Sequence, residues 1–359
     1  MSKFYKIKII KVIFFSIFFS FLFSFINIFF EKNISYFKNA YDFNFSTETD
    51  ERFYKYFLLK TIPNSKKFIF GNSQATTLNP IYLGGKINEV VNISFSGANI
   101  EEQLSFLEWI VNNRNPEKIY LGLNYYSFQN LDFNSKMPLE FQKNILKKYL
   151  RSLDINNFKI YLKLVKIKLY NFLFNINPKD QSKHFYLGMR TYPNYFNITD
   201  LHNGIFDYNK KFDQKKQFNE AKNSKNFIFE KNLSHEKFIF LQNFVEICTK
   251  NNIELKIFFE PVNKIQLLKK DSFILKTELE VIKKIFAHTD VSNIYYFNNF
   301  NKINLDNNYY FRDLIHYDYD AGKLIMESIN KKNSLSYIVT KKNLKNFEKF
   351  IVKKINETK

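Results

Sequence analysis

The sequence predicts an α/β domain built on a parallel sheet and held behind one N-terminal transmembrane helix. Three observations point there. The run Val12–Phe30 contains no ionisable side chain. From about residue 61 onward, short apolar runs of strand length alternate with longer segments of helical periodicity. That is the pattern of βαβ units, in which helices cover both faces of a parallel sheet. Finally, 45% of the 359 residues are apolar, enough to bury a sizeable core.

The apolar run comes first. Nineteen helical residues reach about 28 Å, close to the hydrocarbon thickness of a bilayer. Lys3, Lys6, Lys8 and Lys11 precede it, and positive charge on that flank keeps an N-terminus in the cytoplasm. Residues 1–11 then lie inside, 12–30 span the membrane, and 31–60 form a juxtamembrane segment on the far side. A cleaved signal peptide is the rival reading, although the run is long for one. Asn27, Glu31, Lys32 and Asn33 also offer no small-x-small cleavage site. A buried core helix is the third reading, and the all-round hydrophobicity of the run argues against it.

The alternation that follows is read as strands and helices in turn. Lys67–Gly71, Val90–Ser94 and Lys118–Leu123 read as buried strands, with a helix over Asn99–Val111 whose apolar positions include Leu104, Leu107, Trp109 and Ile110. Asp132–Phe229 breaks the rhythm. It holds a helical stretch near Leu139–Phe174 and then a polar segment with Gly188, Pro193 and Gly204. This is either an insertion capping the site or a separate small helical domain. The rhythm resumes with a helix over Glu236–Lys250, a strand over Leu255–Phe259, a helix over Ser272–His288, a short strand over Asn293–Tyr296 and a helix over Asp320–Ile329. The main domain thus covers 61–335 with the insertion at 132–229. A basic amphipathic helix at 336–359 presents a solvated face.

Charge and rare residues narrow the function. The net charge of +20 suits an anionic partner: nucleic acid, lipid headgroups or an acidic glycan. The lysines are spread along the chain with no arginine-rich block or zinc-finger spacing, so nucleic acid ranks last and is not expected. Richness in Lys, Asn, Ile and Phe also fits an A+T-biased coding sequence. A single cysteine, Cys248, excludes an intrachain disulfide but does not decide compartment. There are five histidines, and no pair has metal-ligand spacing. No metal and no cofactor is expected.

Four short segments carry chemistry. Phe70-Gly71-Asn72-Ser73-Gln74-Ala75 directly follows the first strand. A serine on such a turn exposes its hydroxyl at the carboxyl edge of the sheet, where open α/β folds place their sites. Taken alone, Ser73 reads equally as a helix cap. Ser94-Phe95-Ser96-Gly97-Ala98-Asn99 follows the second strand, and Gly97 can bring a backbone N–H close to a ligand or serve as a plain turn residue. Leu121-Gly122-Leu123-Asn124 ends the third strand, and an Asn124 amide there can donate to an oxyanion or simply satisfy a turn. In Arg312-Asp313-Leu314-Ile315-His316-Tyr317, Asp and His stand three apart before a helix. Both can face one site, with His316 taking the serine proton and Asp313 fixing its tautomer. An α/β-hydrolase elbow wants Gly-x-Ser-x-Gly, and Ala75 occupies the last position.

In their order, these blocks resemble those of the SGNH (GDSL-like) hydrolase superfamily, which supply Ser, Gly, Asn and His with an Asp three residues before the His. The resemblance covers about Lys66 to Asn330, interrupted by the insertion. With the N-terminal anchor, "FGNSQATTLNP", "SFSGANIEEQ", "YLGLNYYSF" and "DLIHYDYDAG" look most like the bacterial envelope branch. That branch includes the D-alanyl-lipoteichoic acid and alginate acetylation proteins. The resemblance implies a three-layer αβα, flavodoxin-like domain outside the cytoplasmic membrane. It implies Ser73, His316 and Asp313 as catalytic residues, with Gly97 and Asn124 at the oxyanion. The substrate would be a cell-envelope glycan or acyl ester, and the partner a membrane-bound O-acyltransferase. Two departures stand out: Gly-Asn-Ser replaces Gly-Asp-Ser, and Tyr125 follows Asn124 where secreted esterases have Asp. The alternative function is a non-catalytic envelope scaffold or glycan-binding protein on the same fold.

Overall fold

A computed structural model describes residues 3–32, 64–78, 80–83, 90–128, 233–267, 273–305, 310–311, 316–331 and 333–357, with isolated positions at 52, 55–56, 59–60, 152–153 and 165. The chain divides into two compact units, Met1–Thr61 with Lys136–Ser182, and Ile62–Ser135 with Lys183–Lys359. The expected insertion at 132–229 is therefore shared between them. All but three of its residues lie outside the described residues, as does most of the juxtamembrane segment.

In the first unit, α1 runs Lys3–Lys32, and its Ile9–Phe30 portion is long and apolar enough to cross a membrane. Phe14, Phe18 and Phe25 are exposed along it. Phenylalanines four apart stack, Phe15 on Phe19 and Phe25 on Phe29, each pair with ring centroids 6.4 Å apart. Ser24 and Asn27 are instead buried. The Ser24 hydroxyl is hydrogen-bonded to that of Ser152, and the Asn27 amide donates to the Ser152 carbonyl. Two polar groups within the apolar portion of the helix thus find hydrogen-bond partners within the chain.

The second unit holds a six-stranded sheet. Its strands are β1 (Lys67–Phe70), β2 (Val90–Asn92), β3 (Lys118–Leu123), β4 (Glu254–Phe259), β5 (Ile294–Tyr296) and β6 (Tyr337–Val339). The spatial order is β2-β1-β3-β4-β5-β6. The first five strands are parallel, and β6 runs antiparallel to β5. The helices are α2 (Ile100–Asn113), α3 (His235–Lys250), α4 (Phe273–His288), α5 (Tyr319–Ile329) and α6 (Leu344–Glu357).

Side-chain alternation sends successive strand residues to opposite faces. Ile69, Tyr120, Phe258 and Tyr295 join Ala321, Ile325, Met326 and Ile329 of α5 in one buried cluster. Their strand neighbours turn the other way. Phe70 meets Phe244 of α3 edge-on with centroids 5.3 Å apart, and Tyr296 meets Phe347 of α6 at 4.9 Å. Helices therefore pack both faces, and the carboxyl halves of the central strands are buried, as parallel strands usually are.

Two differences from the sequence expectation lie at the C-terminus. β6, Tyr337-Ile338-Val339, is an apolar run of only three residues in a Lys-, Asn- and Ser-rich stretch, too short to mark a strand by itself, and it becomes one by pairing with β5. The helix after it is more than a solvated face, because Phe347, Ile351 and Ile355, spaced four apart, are buried.

Candidate active site

Strand order reverses at β1, where the chain goes to β2 on one side and β3 on the other. That is a topological switch point, and ligands of open α/β sheets bind in the crevice beyond it at the carboxyl ends of the strands. The turn leaving β1 is built from side-chain contacts. The Gln74 backbone N–H donates to Asn72 Oδ1 at 2.9 Å, and the Thr76 hydroxyl donates to the Ser73 carbonyl at 2.6 Å. A short 3₁₀ turn, Ala75–Thr77, follows. Asn92, at the end of β2 and fully buried, clamps that turn by donating to the carbonyls of Ala75 and Leu78 at 2.8 Å each. Gly71 is required there, because a Cβ would collide with that of Ala75.

Ser73 sits half-buried on this turn, and His316 is half-buried opposite it. Nε2 of His316 lies 2.9 Å from Ser73 Oγ, although 243 residues separate them in sequence. The loop that carries His316 is fastened on both sides. Phe311 and Tyr317 form an antiparallel bridge, the Asp318 N–H donates to the Tyr310 carbonyl at 2.9 Å, and the Asp318 carboxylate caps α5 by accepting from Ala321 N–H at 3.0 Å. A base positioned on a serine in this way can withdraw its proton during attack on a carbonyl. Asp313 lies outside the described residues.

Of the expected oxyanion residues, Gly97 is the third residue of a turn in which Ala98 N–H bonds the Phe95 carbonyl at 3.2 Å, and it has φ +63°. That left-handed conformation favours glycine. Next to the turn, Asn99 caps α2 in a reciprocal box with Glu102. Asn124 is fully buried at the end of β3. One hydrogen of its amide goes to Gln74 Oε1 at 2.6 Å, while its Oδ1 accepts from the Ser127 N–H at 3.2 Å and the Ser127 hydroxyl at 3.3 Å. Asn124 thus holds the β1 and β3 ends together, and among the described residues one of its two amide hydrogens is spent on Gln74.

Sequence reasoning passed over three residues here. Gln74 spans the switch point, taking Asn124 on one side and donating to the Pro261 carbonyl at 3.3 Å on the other. Asn92 was read only as part of a strand. Glu260 closes β4 and is fully buried, with the Tyr317 hydroxyl donating to its Oε1 at 3.3 Å. Burial pushes the Glu260 carboxyl well above the usual carboxylate range, against a smaller opposing effect of the Tyr317 hydrogen bond. The available signal was an acidic residue directly after an apolar strand and before a proline, in Phe258-Phe259-Glu260-Pro261.

Elsewhere in this unit, the rings of His235 and His288 meet edge-on with centroids 6.2 Å apart, an approach their sequence spacing does not reveal. Among the described residues, no group of three or more His, Cys, Asp or Glu side chains converges as a metal site. No family model matches the chain, and no curated protein matches it.

Proposed function

We propose that this chain is a membrane-anchored serine acyl-transfer enzyme of the SGNH type, an esterase or O-acyltransferase acting outside the cytoplasmic membrane on a cell-envelope glycan. The observation that carries the reading is the 2.9 Å approach of His316 Nε2 to Ser73 Oγ. It occurs beside the switch point of a sheet whose first five strands follow the 2-1-3-4-5 order of flavodoxin-like folds. Contact between two polar side chains this far apart in sequence, one on a tight turn and one on a pinned loop, is what a nucleophile and its base require.

In the proposed reaction, Ser73 Oγ attacks the acyl carbonyl and His316 Nε2 takes its proton. The Oγ–acyl bond forms as the carbonyl becomes an oxyanion. Collapse breaks the bond to the leaving alcohol, and the imidazolium returns the proton to that oxygen. A water or sugar hydroxyl then attacks the acyl-serine by the same steps. Backbone N–H groups of Ser73 and Gly97, with the second amide hydrogen of Asn124, would receive the oxyanion; each such donor is typically worth about 100- to 1,000-fold in turnover. Asp313 would hold the imidazole in the tautomer that presents Nε2 as acceptor. The lysines at the start of α1 would keep its N-terminus cytoplasmic and the rest of the chain beyond the membrane in this reading, where a membrane-bound O-acyltransferase would supply the acyl group.

A fluorophosphonate probe tests the nucleophile. Wild-type protein should be labelled at Ser73, and Ser73→Ala should not. An unlabelled wild-type protein that is folded and keeps its glycan or membrane partner would leave the scaffold reading in place.

A further inference from the structure

Resting on the Ser73–His316 reading, we propose that Glu260 is a positioning residue for the base: its buried carboxyl accepts the hydroxyl of Tyr317 and thereby fixes His316, the residue next to it, over Ser73. Glu260 reaches no reacting atom in this account. It acts through the loop that carries the imidazole.

The sequence makes room for this carboxyl. A Cβ at Gly122 would lie 3.0 Å from Glu260 Oε1 and 2.9 Å from the Phe258 ring, and one at Gly71 would lie 3.7 Å from the same Oε1. β3 therefore carries glycine where it flanks the Glu260 side chain. The Glu260 backbone N–H is held by the Leu123 carbonyl at 3.0 Å, and its own carbonyl accepts from Asn298 Nδ2 at 3.1 Å. Its main chain is thus fixed at the centre of the sheet edge.

Tyr317 is fully buried, and its hydroxyl donates to Glu260 Oε1 at 3.3 Å. The phenol thus ties the residue after His316 to the end of β4. Burial pushes the Glu260 carboxyl well above the usual carboxylate range, and the Tyr317 hydrogen bond opposes that shift. Among the described residues, Glu260 Oε2 has no hydrogen-bond partner. Burying a carboxyl with one oxygen unpartnered costs stability, which argues for a role beyond packing.

The test uses full-length protein labelled with ¹⁵N-histidine, and it reads two quantities. One is the imidazole spectrum of His316, assigned with His316→Ala. The other is the rate of fluorophosphonate labelling at Ser73. Wild type should show one fixed His316 tautomer. Tyr317→Phe, which removes only the hydroxyl, and Glu260→Leu should average the tautomers and slow labelling on the order of 10- to 100-fold, since displacements near 1 Å cost that much in positioned reactions. Glu260→Gln keeps a carbonyl acceptor in place and should recover most of what Glu260→Leu loses. An unchanged His316 spectrum in folded Tyr317→Phe overturns the inference, whatever the labelling. A changed spectrum in a protein whose wild type never labels supports the positioning role while removing the nucleophile reading.

Discussion

Two buried carboxyls lie within one element of each other near the carboxyl edge of the sheet, and they are treated in opposite ways. Glu278, on α4, has both oxygens occupied: Tyr296 donates at 2.9 Å, and Asn298 Nδ2 lies 3.0 Å from each oxygen. Asn298 in turn accepts from Val262 N–H at 2.7 Å and donates to the Glu260 carbonyl at 3.1 Å. Among the described residues, Glu260 receives one long hydrogen bond on one oxygen. A saturated polar network fixes a fold, whereas a thinly satisfied buried group beside reactive side chains points to a task other than stability. The saturated cluster braces α4, β5 and the loop after β4. The sparse one accepts from Tyr317, the residue after His316.

The sharpest way to break this contrast is to exchange the expected losses. His316→Ala should reduce ester turnover by about 1,000-fold or more, with little change in melting temperature, because the ring is half-exposed on a loop. Glu278→Leu should do the reverse. It strands the Tyr296 hydroxyl and the Asn298 amide, which should lower stability by about 2–5 kcal/mol, while turnover per folded molecule stays close to wild type. Equal loss of turnover from both, in folded protein, would erase the distinction.

The pH dependence follows from the same pair. Burial raises the Glu278 carboxyl from its ordinary 4.5 to about 8. The native state therefore holds a proton that the unfolded chain has released. Stability from this group is full below about 4.5, falls as pH rises toward 8 and is lost above that. Glu260 shifts in the same direction. Melting temperatures measured from pH 5 to 8.5 should fall less steeply in Glu278→Gln than in wild type. Identical slopes would place the proton elsewhere.

Two smaller effects sharpen the geometry. Gly122→Ala pushes a methyl into the Phe258 ring and the Glu260 carboxyl, for an expected loss of about 1–3 kcal/mol. It should also disturb His316, which a comparable clash in the Glu278 cluster should not. Asn99→Ala removes the cap of α2, which accepts from Glu102 N–H at 2.9 Å. That should lower stability by about 1 kcal/mol and leave Ser73 labelling unchanged. A larger effect on labelling would tie the Gly97 turn more closely to the reacting centre.

Much of the fold was legible because its signals are local. The parallel strands are apolar runs such as Phe68-Ile69-Phe70 and Ile119-Tyr120-Leu121, bounded by polar residues and alternating with helices. Their bounds in the structure differ from the sequence reading by a residue or two at most ends. β6 was not legible, because its three apolar residues are too few to show a period, and its strand conformation comes from pairing with β5. At the site, Ser73, Gly97, Asn124 and His316 could be singled out as short blocks after strands. Asn92, Gln74 and Glu260 could not, since each matters through one distant partner that no spacing encodes.

By itself, the sequence determined the apolar length of α1, the alternation of strands and helices, and the position of each polar block at the end of a strand. These rest on hydrophobic periodicity and turn chemistry, which act over a few residues. Only the tertiary structure decided that Ser73 and His316 meet, that Asn124 spends one amide hydrogen on Gln74, and that Glu260 rather than a hydrophobic residue fills the space beside Gly71 and Gly122. Those outcomes depend on strand order. Placing β1 between β2 and β3, with β4 next to β3, brings side chains from opposite ends of the chain to one edge, and nothing within a few residues of any of them specifies that order.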